Sequence, residues 1–235
     1  MPLSRRVVLQ ICAAAVALPL IPKGWGGQSM RIGVIGAGWL GGTVGRLWVK
    51  AGHEVMFSSR NPHELQAMVD ELGARASVGT PSEAAAFGSV LLFAVPYEAL
   101  PDLGRDLGSS VQGKVVLDAC NPAASSTSAI AREAQSAGVG ETSAKYLPGS
   151  RLVRAFSAVD ATAVEASARR ATDKLGVPIA SDDAQALQVA EQLVRDVGCD
   201  PVVVGNLAAA RLFQRGGPGF RANTTAAELR RLMGE

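Results

Sequence analysis

Histidine and cysteine are scarce in this chain of 235 residues. The two histidines, His53 and His63, lie far from any third ligand in the sequence, so we predict no metal site and place both at the surface or at helix ends. The three cysteines, Cys12, Cys120 and Cys199, show no CxxC spacing, which argues against a zinc site and against a disulfide framework. The strand-like surroundings of Cys120 and Cys199 predict buried thiols.

The chain also lacks a large net charge of either sign. The chain carries 23 basic and 21 acidic residues, a net charge of +2. Residues 1–29 contain three basic residues and no acid, so the remainder holds 20 basic against 21 acidic residues, or −1. Nucleic-acid binding needs a basic patch, and no such patch is indicated. The hydrophobic content of 48% favours a globular protein with a sizeable core.

Residues 1–29 are similar to an export leader. The stretch Ser4–Gln10 contains two adjacent arginines and resembles the twin-arginine consensus, and an uncharged apolar run follows from Ile11 to Ile21. This run is too short for a stable membrane span. A leader predicts export to the periplasm by the twin-arginine route, although a clear A-x-A cleavage site is missing. The alternative is that translation starts at Met30 and that the protein is cytoplasmic.

A glycine-rich turn follows the first predicted strand. The apolar run Ile32–Ile35 predicts that strand, and an amphipathic helix pattern containing Val44 and Trp48 comes after the turn. Between them, a GxGxxG motif in this context is a dinucleotide-binding fingerprint. Its residues are Gly36, Ala37, Gly38, Trp39, Leu40 and Gly41.

Each glycine of the motif has a predicted role. Gly36 permits the tight turn, Gly38 lets the backbone approach the pyrophosphate, and Gly41 lets helix and strand pack closely. The N-terminus of the helix would offer N–H groups to the phosphates. The alternative is a glycine-rich turn that binds nothing.

The second predicted strand, residues 53–57, ends in Ser58, Ser59 and Arg60. An NAD-preferring site places Asp or Glu about twenty residues after the glycines. Here, serine hydroxyls can hydrogen-bond a 2′-phosphate and a guanidinium can pair with it bidentately. The sequence therefore predicts NADP as the cofactor, the alternative being an ordinary surface arginine.

From Met30 onward, strand and helix patterns alternate. This alternation predicts a Rossmann-type α/β fold with a doubly wound parallel sheet and a C-terminal α/β extension. We place an NADP-binding domain at residues 30–150 and a part that completes the sheet at residues 151–235. Two buried strands end in further predicted cofactor contacts, namely Ala94, Val95, Pro96, Asn121 and Pro122. Ligands of such sheets bind outside the carboxyl ends of the strands, which is where these residues lie. Turn chemistry alone would also account for proline and asparagine at these positions.

Taken together, these motifs resemble a known family, the NADP oxidoreductases dependent on the deazaflavin coenzyme F420, which also supplies the nucleotide domain of membrane ferric reductases. Two departures stand out: Ser157 occupies a position where the family commonly has asparagine, and family members are typically cytoplasmic. The similar pieces are Ile32–Gly38, Ser58–Arg60, Ala94–Tyr97, Asn121–Pro122, Leu147–Phe156, Ser181–Asp183 and Val204–Arg211.

The resemblance implies hydride transfer between NADPH and a second planar acceptor, either F420 or a flavin. That acceptor would lie near the nicotinamide, in a pocket completed by residues 151–235, and the implied contacts are Ala155, Phe156, Ser157 and Leu207. Direct hydride transfer depends mainly on positioning, so no catalytic side chain is predicted, and Asp118 and Asp160 are interpreted as structural. Two alternatives stay open: an NADP-binding module without chemistry of its own, and a component of a metal-chelate (ferric) reductase. Whether the chain forms a homodimer is also open.

Overall fold

A computed structural model describes residues 29–234. The predicted leader therefore lies, apart from Ser29, outside the described residues. Within residues 29–234, eight strands form one sheet in the spatial order β3-β2-β1-β4-β5-β6-β7-β8. The strands are β1 (Arg31–Ile35), β2 (Glu54–Ser58), β3 (Ala76–Gly79), β4 (Val90–Phe93), β5 (Val115–Asp118), β6 (Arg151–Arg154), β7 (Gly176–Ala180) and β8 (Asp200–Gly205).

Helices cover both faces of the sheet, which confirms the predicted Rossmann-type α/β class. One helix, α6, is not indicated by the sequence patterns. The helices are α1 (Trp39–Ala51), α2 (Gln66–Leu72), α3 (Pro81–Phe87), α4 (Leu100–Leu107), α5 (Ala129–Ala137), α6 (Val139–Tyr146), α7 (Ala161–Ala168), α8 (Ala184–Asp196) and α9 (Ala226–Met233). Across the described part of the chain, no helix combines the length and the apolar character that a membrane crossing requires.

The sheet is parallel from β3 through to β6, and its direction then reverses. Strand β7 runs antiparallel to β6 and pairs with it only through Arg154 and Ala180, whereas β8 is again parallel to β7. The expectation of a parallel sheet is therefore right for the first six strands and wrong for the junction between β6 and β7. The alternation of strands and helices does not encode this reversal, because a helix, α7, separates β6 from β7 just as helices separate the parallel strands.

Two apolar layers hold the helices to the sheet. On one face, Val44 and Trp48 of α1 pack with Leu193 of α8, and all three side chains are fully buried. The indole Nε1 of Trp48 donates to the carbonyl of Leu193 at 2.9 Å, so the polar atom of this buried ring is satisfied. On the other face, Leu91 and Phe93 of β4 pack against α3 to α6. Apolar packing therefore covers both faces of the sheet.

His53 lies directly after the end of α1, which confirms the predicted helix-end position, and its side chain is buried. Its Nδ1 accepts from the backbone N–H of Met30 at 3.1 Å, and its Nε2 lies 3.0 Å from Oδ2 of Asp196 in α8.

Cys120 and Cys199 are buried free thiols, as predicted, and burial raises the pKa of Cys199 to about 11.

The chain reverses its direction of winding between β1 and β4. From β1 it proceeds through β2 to the edge strand β3, and it then returns to β4 on the other side of β1. At such a switch point the connections that follow the two neighbouring strands diverge and leave a crevice, where open α/β sheets bind their ligands.

Candidate dinucleotide site

A cleft of about 650 Å³ lies at the carboxyl ends of β1, β2 and β4. It occupies the crevice that the topology predicts. The turn before α1 forms its floor, and Ala99 and Leu103 contribute to an apolar wall. Eight of the predicted cofactor contacts line it, namely Gly36, Ala37, Gly38, Ser59, Arg60, Ala94, Val95 and Pro96.

Gly36 forms the tight turn that the glycine motif predicts at this position. Its φ of +99° belongs to the region that side chains disfavour. A Cβ at this position would lie 2.5 Å from the carbonyl oxygen of Ala94, so β4 also closes the position sterically. The N–H groups of Gly36 and Ala37 both donate to the carbonyl of Ser58, at 3.2 and 2.8 Å, which fixes the turn to β2.

Gly38 and Gly41 have opposite surroundings. A Cβ at Gly38 would find no atom within 4 Å, so the space above this residue is open. A Cβ at Gly41 would lie 2.2 Å from the carbonyl oxygen of Gly36, so helix and turn are in direct contact there. Gly38 is also the N-cap of α1 and supplies no side chain to the free N–H groups, which leaves them for an anion. This geometry is what a pyrophosphate requires.

Trp39 and Leu40 do not line the cleft with their side chains. Trp39 is 73% exposed at the first turn of α1, and Leu40 packs against the core below. The backbone N–H groups of these two positions lie in the first turn of α1, where the motif places the pyrophosphate.

The three polar residues after β2 have different environments. Ser58 is fully buried and donates its hydroxyl to the carbonyl of Val34 at 2.8 Å, so its predicted side-chain contact to the cofactor is wrong. Ser59 accepts from the N–H of Asn61 at 3.0 Å, which leaves its hydroxyl hydrogen for a phosphate. Arg60 is exposed and makes no hydrogen bond or ion pair with another residue in the range 29–234. Its guanidinium is therefore available to an anion.

Two carboxylates also line this cleft, and the sequence analysis missed both. Glu64 belongs to the 3₁₀ turn Pro62–Leu65, and its Oε1 accepts from Nδ2 of Asn61 at 3.0 Å. Glu98 accepts from the hydroxyl of Ser126 at 2.5 Å, and this hydrogen bond lowers the pKa of Glu98. A search for an acid directly after β2 could not find Glu64, which comes six positions after Ser58.

Asn121 and Pro122 follow β5 but do not line the cleft. The Asn121 side chain is used internally: its Oδ1 accepts from Nη2 of Arg154 at 2.9 Å, and its Nδ2 donates to the carbonyl of Ser157 at 2.6 Å. Pro122 borders a separate cavity of about 110 Å³. The Asn121 side chain therefore has a structural role, because it ties the ends of β5 and β6 together, and its contact with the cofactor stays a prediction.

A buried ion pair lies beside that amide. Arg154 and Asp118 are both fully buried, and Nη1 of Arg154 lies 2.5 Å from Oδ2 of Asp118. The same Nη1 donates to the carbonyl of Cys120 at 2.7 Å, and Oδ1 of Asp118 accepts from the N–H of Cys120 at 2.9 Å. Asp118 is thus structural, as interpreted from the sequence. Asp160 has a comparable role, because it contacts Arg221 and Asn223.

The four residues assigned to the acceptor are buried in this structure, and none of them lines the cleft, so their contact with an acceptor stays a prediction. Ala155 and Phe156 are fully buried, and Ser157 and Leu207 are 5% and 7% exposed. Phe156 has a φ of 58°, and its ring packs edge-to-face on Trp48 with centroids 5.9 Å apart. The ring therefore belongs to the core under α1, where a planar acceptor cannot stack on it.

Comparison with known proteins places this geometry in context. The model of a family described as NADP oxidoreductase, coenzyme F420-dependent, matches residues 31–122. The protein named Metalloreductase STEAP3 from Rattus norvegicus is 27% identical over 199 residues, which amount to 83% of this chain and 37% of that protein. The chain thus spans little more than a third of the length of that curated relative.

Solved structures support the fold. A hypothetical protein of Sinorhizobium meliloti matches with a TM-score of 0.69 at 24% identity, over 82% of this chain and 93% of that one. A protein of Arthrobacter sp. FB24, provisionally described as an F420-dependent NADP reductase, matches with a TM-score of 0.67 at 21% identity, over 78% and 88% of the two chains. At these identities the likeness shows a shared fold.

The sheet and the glycine-lined cleft define a Rossmann-type dinucleotide-binding protein. Within that class, residues 31–122 match the model of the NADP oxidoreductases dependent on coenzyme F420, and this part of the chain is similar to that family.

Proposed function

We propose that this protein binds NADPH in the 650 Å³ cleft and transfers a hydride from it to a deazaflavin such as F420, or to a flavin-like acceptor. One observation carries the proposal. Open space above Gly38 at a helix N-terminus lies in the same cleft as Ser59 and the unpaired Arg60. A pyrophosphate and a 2′-phosphate are the two anionic groups of NADPH, and the cleft offers a place for each.

The residues of the cleft would act by binding and orientation. The N–H groups at the start of α1 would hold the pyrophosphate, and Ser59 and Arg60 would hold the 2′-phosphate. Ala99 and Leu103 would support the apolar part of the adenosine half. The nicotinamide, when bound, supplies the hydride, and the protein contributes mainly positioning. Since Phe156 is buried, the acceptor would approach from the open side of the cleft.

The family match to residues 31–122 supports F420 as the first acceptor to test. The test is NADPH oxidation by the full chain, followed by the absorbance of NADPH, with F420, FMN and FAD offered separately. We expect turnover with at least one of these acceptors and the fastest turnover with F420. NADPH binding without turnover on every acceptor would contradict the proposal and favour a binding module.

A second candidate function, ferric reduction, has one observation in its favour, the 27% identity to Metalloreductase STEAP3. A ferric ion takes one electron whereas a hydride carries two. One NADPH would therefore have to reduce two ferric ions, with release of a proton, or pass both electrons to a flavin first. Ferric chelate should therefore be offered with and without added flavin, and reduction that requires the flavin would assign this chain to the flavin-reducing step.

Arg60→Ala is expected to weaken NADPH binding by about tenfold to a hundredfold. The substitution removes charge-assisted hydrogen bonds to the 2′-phosphate, which contribute about 1.5–3 kcal/mol. NADH lacks this phosphate, so its affinity should be almost unchanged. Calorimetric titrations with both dinucleotides measure the difference. Arg75→Ala is a matched control, since Arg75 is an exposed arginine outside the cleft. Equal weakening of both dinucleotides would instead make Arg60 a structural residue.

A further inference from the structure

The summed charge of the side chains that line the dinucleotide cleft is negative, which does not favour an anion. Three charged side chains line the cleft: Arg60, Glu64 and Glu98. Their formal charges of +1, −1 and −1 sum to −1. Glu98 is engaged by Ser126 on the side of α4, whereas Glu64 comes from the same connection after β2 as Arg60. A site dedicated to the 2′-phosphate of NADP would not be expected to place a carboxylate there.

Glu64 is held in place without being neutralised. Its Oε1 accepts from the amide of Asn61 at 3.0 Å, which orients the carboxylate without adding a positive charge. No ion pair joins Glu64 to Arg60 or to any other basic residue of the described chain. No basic partner therefore compensates this carboxylate, and its second oxygen stays available as a hydrogen-bond acceptor.

We infer that Glu64 reduces the preference of this site for NADP, by weakening the binding of NADP and by offering an acceptor to the ribose hydroxyl groups of NAD. The inference rests on the proposed function, since it presupposes that the cleft binds a dinucleotide. Its consequence is that the protein uses both dinucleotides, with a preference for NADPH that is smaller than Arg60 alone would give.

The two opposing effects act over different distances. Arg60 can contact a 2′-phosphate directly through two parallel hydrogen bonds. Glu64 repels it through space, and because the residue is exposed, solvent and salt screen this repulsion. The attraction should therefore be the larger effect, and Glu64 should reduce the preference for NADP without reversing it.

Glu64→Gln tests the inference directly. Glutamine keeps the size of the side chain and an oxygen that can accept from Asn61, and it removes only the charge. In calorimetric titrations at low salt, we expect NADPH to bind about threefold to tenfold more tightly to the variant. The affinity for NADH should fall, because glutamine accepts from the ribose hydroxyl groups more weakly than a carboxylate does. The gain for NADPH should shrink as salt is added, because it arises from a screened repulsion.

Glu71→Gln is the matched control. Glu71 is an exposed carboxylate of α2, a few residues further along the same connection, and it does not line the cleft. The Glu71→Gln substitution removes the same charge from the protein and should leave the affinities for NADPH and NADH unchanged. An equal gain in NADPH affinity with Glu71→Gln would overturn the inference, since it would show a general effect of net charge.

Two further results are decisive in different ways. A wild-type protein that binds NADPH and turns over an acceptor, combined with an unchanged NADPH affinity in Glu64→Gln, would refute the role of Glu64 and leave the proposed function intact. A wild-type protein that binds neither dinucleotide would overturn the proposed function and the inference together.

Discussion

Gly38→Val is expected to abolish dinucleotide binding and to leave the fold intact. The φ of Gly38 is −72°, a value open to any residue, and a Cβ there meets no protein atom within 4 Å. The free protein can therefore accept valine, at a cost of about 1 kcal/mol for the poorer N-cap. The branched side chain would fill the space where the backbone should meet the pyrophosphate. In calorimetry, NADPH affinity should fall by more than about a hundredfold, equal to about 2.7 kcal/mol.

Gly41→Ala is the contrasting variant. A Cβ at Gly41 would lie 2.2 Å from the carbonyl oxygen of Gly36, so the added methyl group must push α1 away from the turn. Such overpacking costs about 1–3 kcal/mol, so this variant should lose stability in urea unfolding. Gly38→Val should instead retain most of its stability while losing the ligand. An unchanged NADPH dissociation constant in Gly38→Val would exclude the glycine turn as the pyrophosphate site.

Local signals explain why much of the fold was predictable. Apolar runs such as Val90–Phe93 become buried strands, and helices begin at residues whose side chains can cap them. Thr80 and Glu83 form a reciprocal capping box at α3. Asp183 caps α8 by accepting from two backbone N–H groups, and its hydrogen bonds to Arg151 hold the pKa of that carboxyl well below its usual range. These signals depend on residues within a few positions of each other, so the sequence displays them.

The site residues that the sequence analysis placed differently or missed depend on how the chain turns in three dimensions. Phe156 follows a strand pattern, but β6 ends at Arg154 and a left-handed φ turns the ring against Trp48, more than a hundred positions earlier. The role of Ser58 depends on whether its hydroxyl faces the cleft or the carbonyl of Val34. Glu64 reaches the cleft through the path of a 3₁₀ turn. Motif spacing specified the glycine turn correctly and could not specify these orientations.

Loss of the Arg154 side chain is expected to destabilise the fold strongly, at the carboxyl ends of the neighbouring strands β5 and β6. Its guanidinium is fully buried, and it donates to Asp118, Cys120 and Asn121 at the ends of β5 and β6. Arg154→Met keeps much of the volume and leaves the Asp118 carboxylate buried without its partner. Removing one member of a buried ion pair costs about 3–5 kcal/mol, because the remaining charge is no longer compensated. Urea unfolding followed by circular dichroism measures this loss.

Two variants separate the buried charge from other effects of the substitution. Arg105→Met breaks an ion pair with Asp102 in which both side chains are about 70% exposed, so it should cost less than about 1 kcal/mol. The double variant Asp118→Val with Arg154→Met removes both buried charges and should be at least as stable as Arg154→Met alone. If the double variant is clearly less stable than Arg154→Met, the uncompensated charge of Asp118 is not the cause of the loss, and the hydrogen bond from the N–H of Cys120 to Asp118 outweighs it. In that case the ion pair itself is not what holds the carboxyl ends of β5 and β6 together.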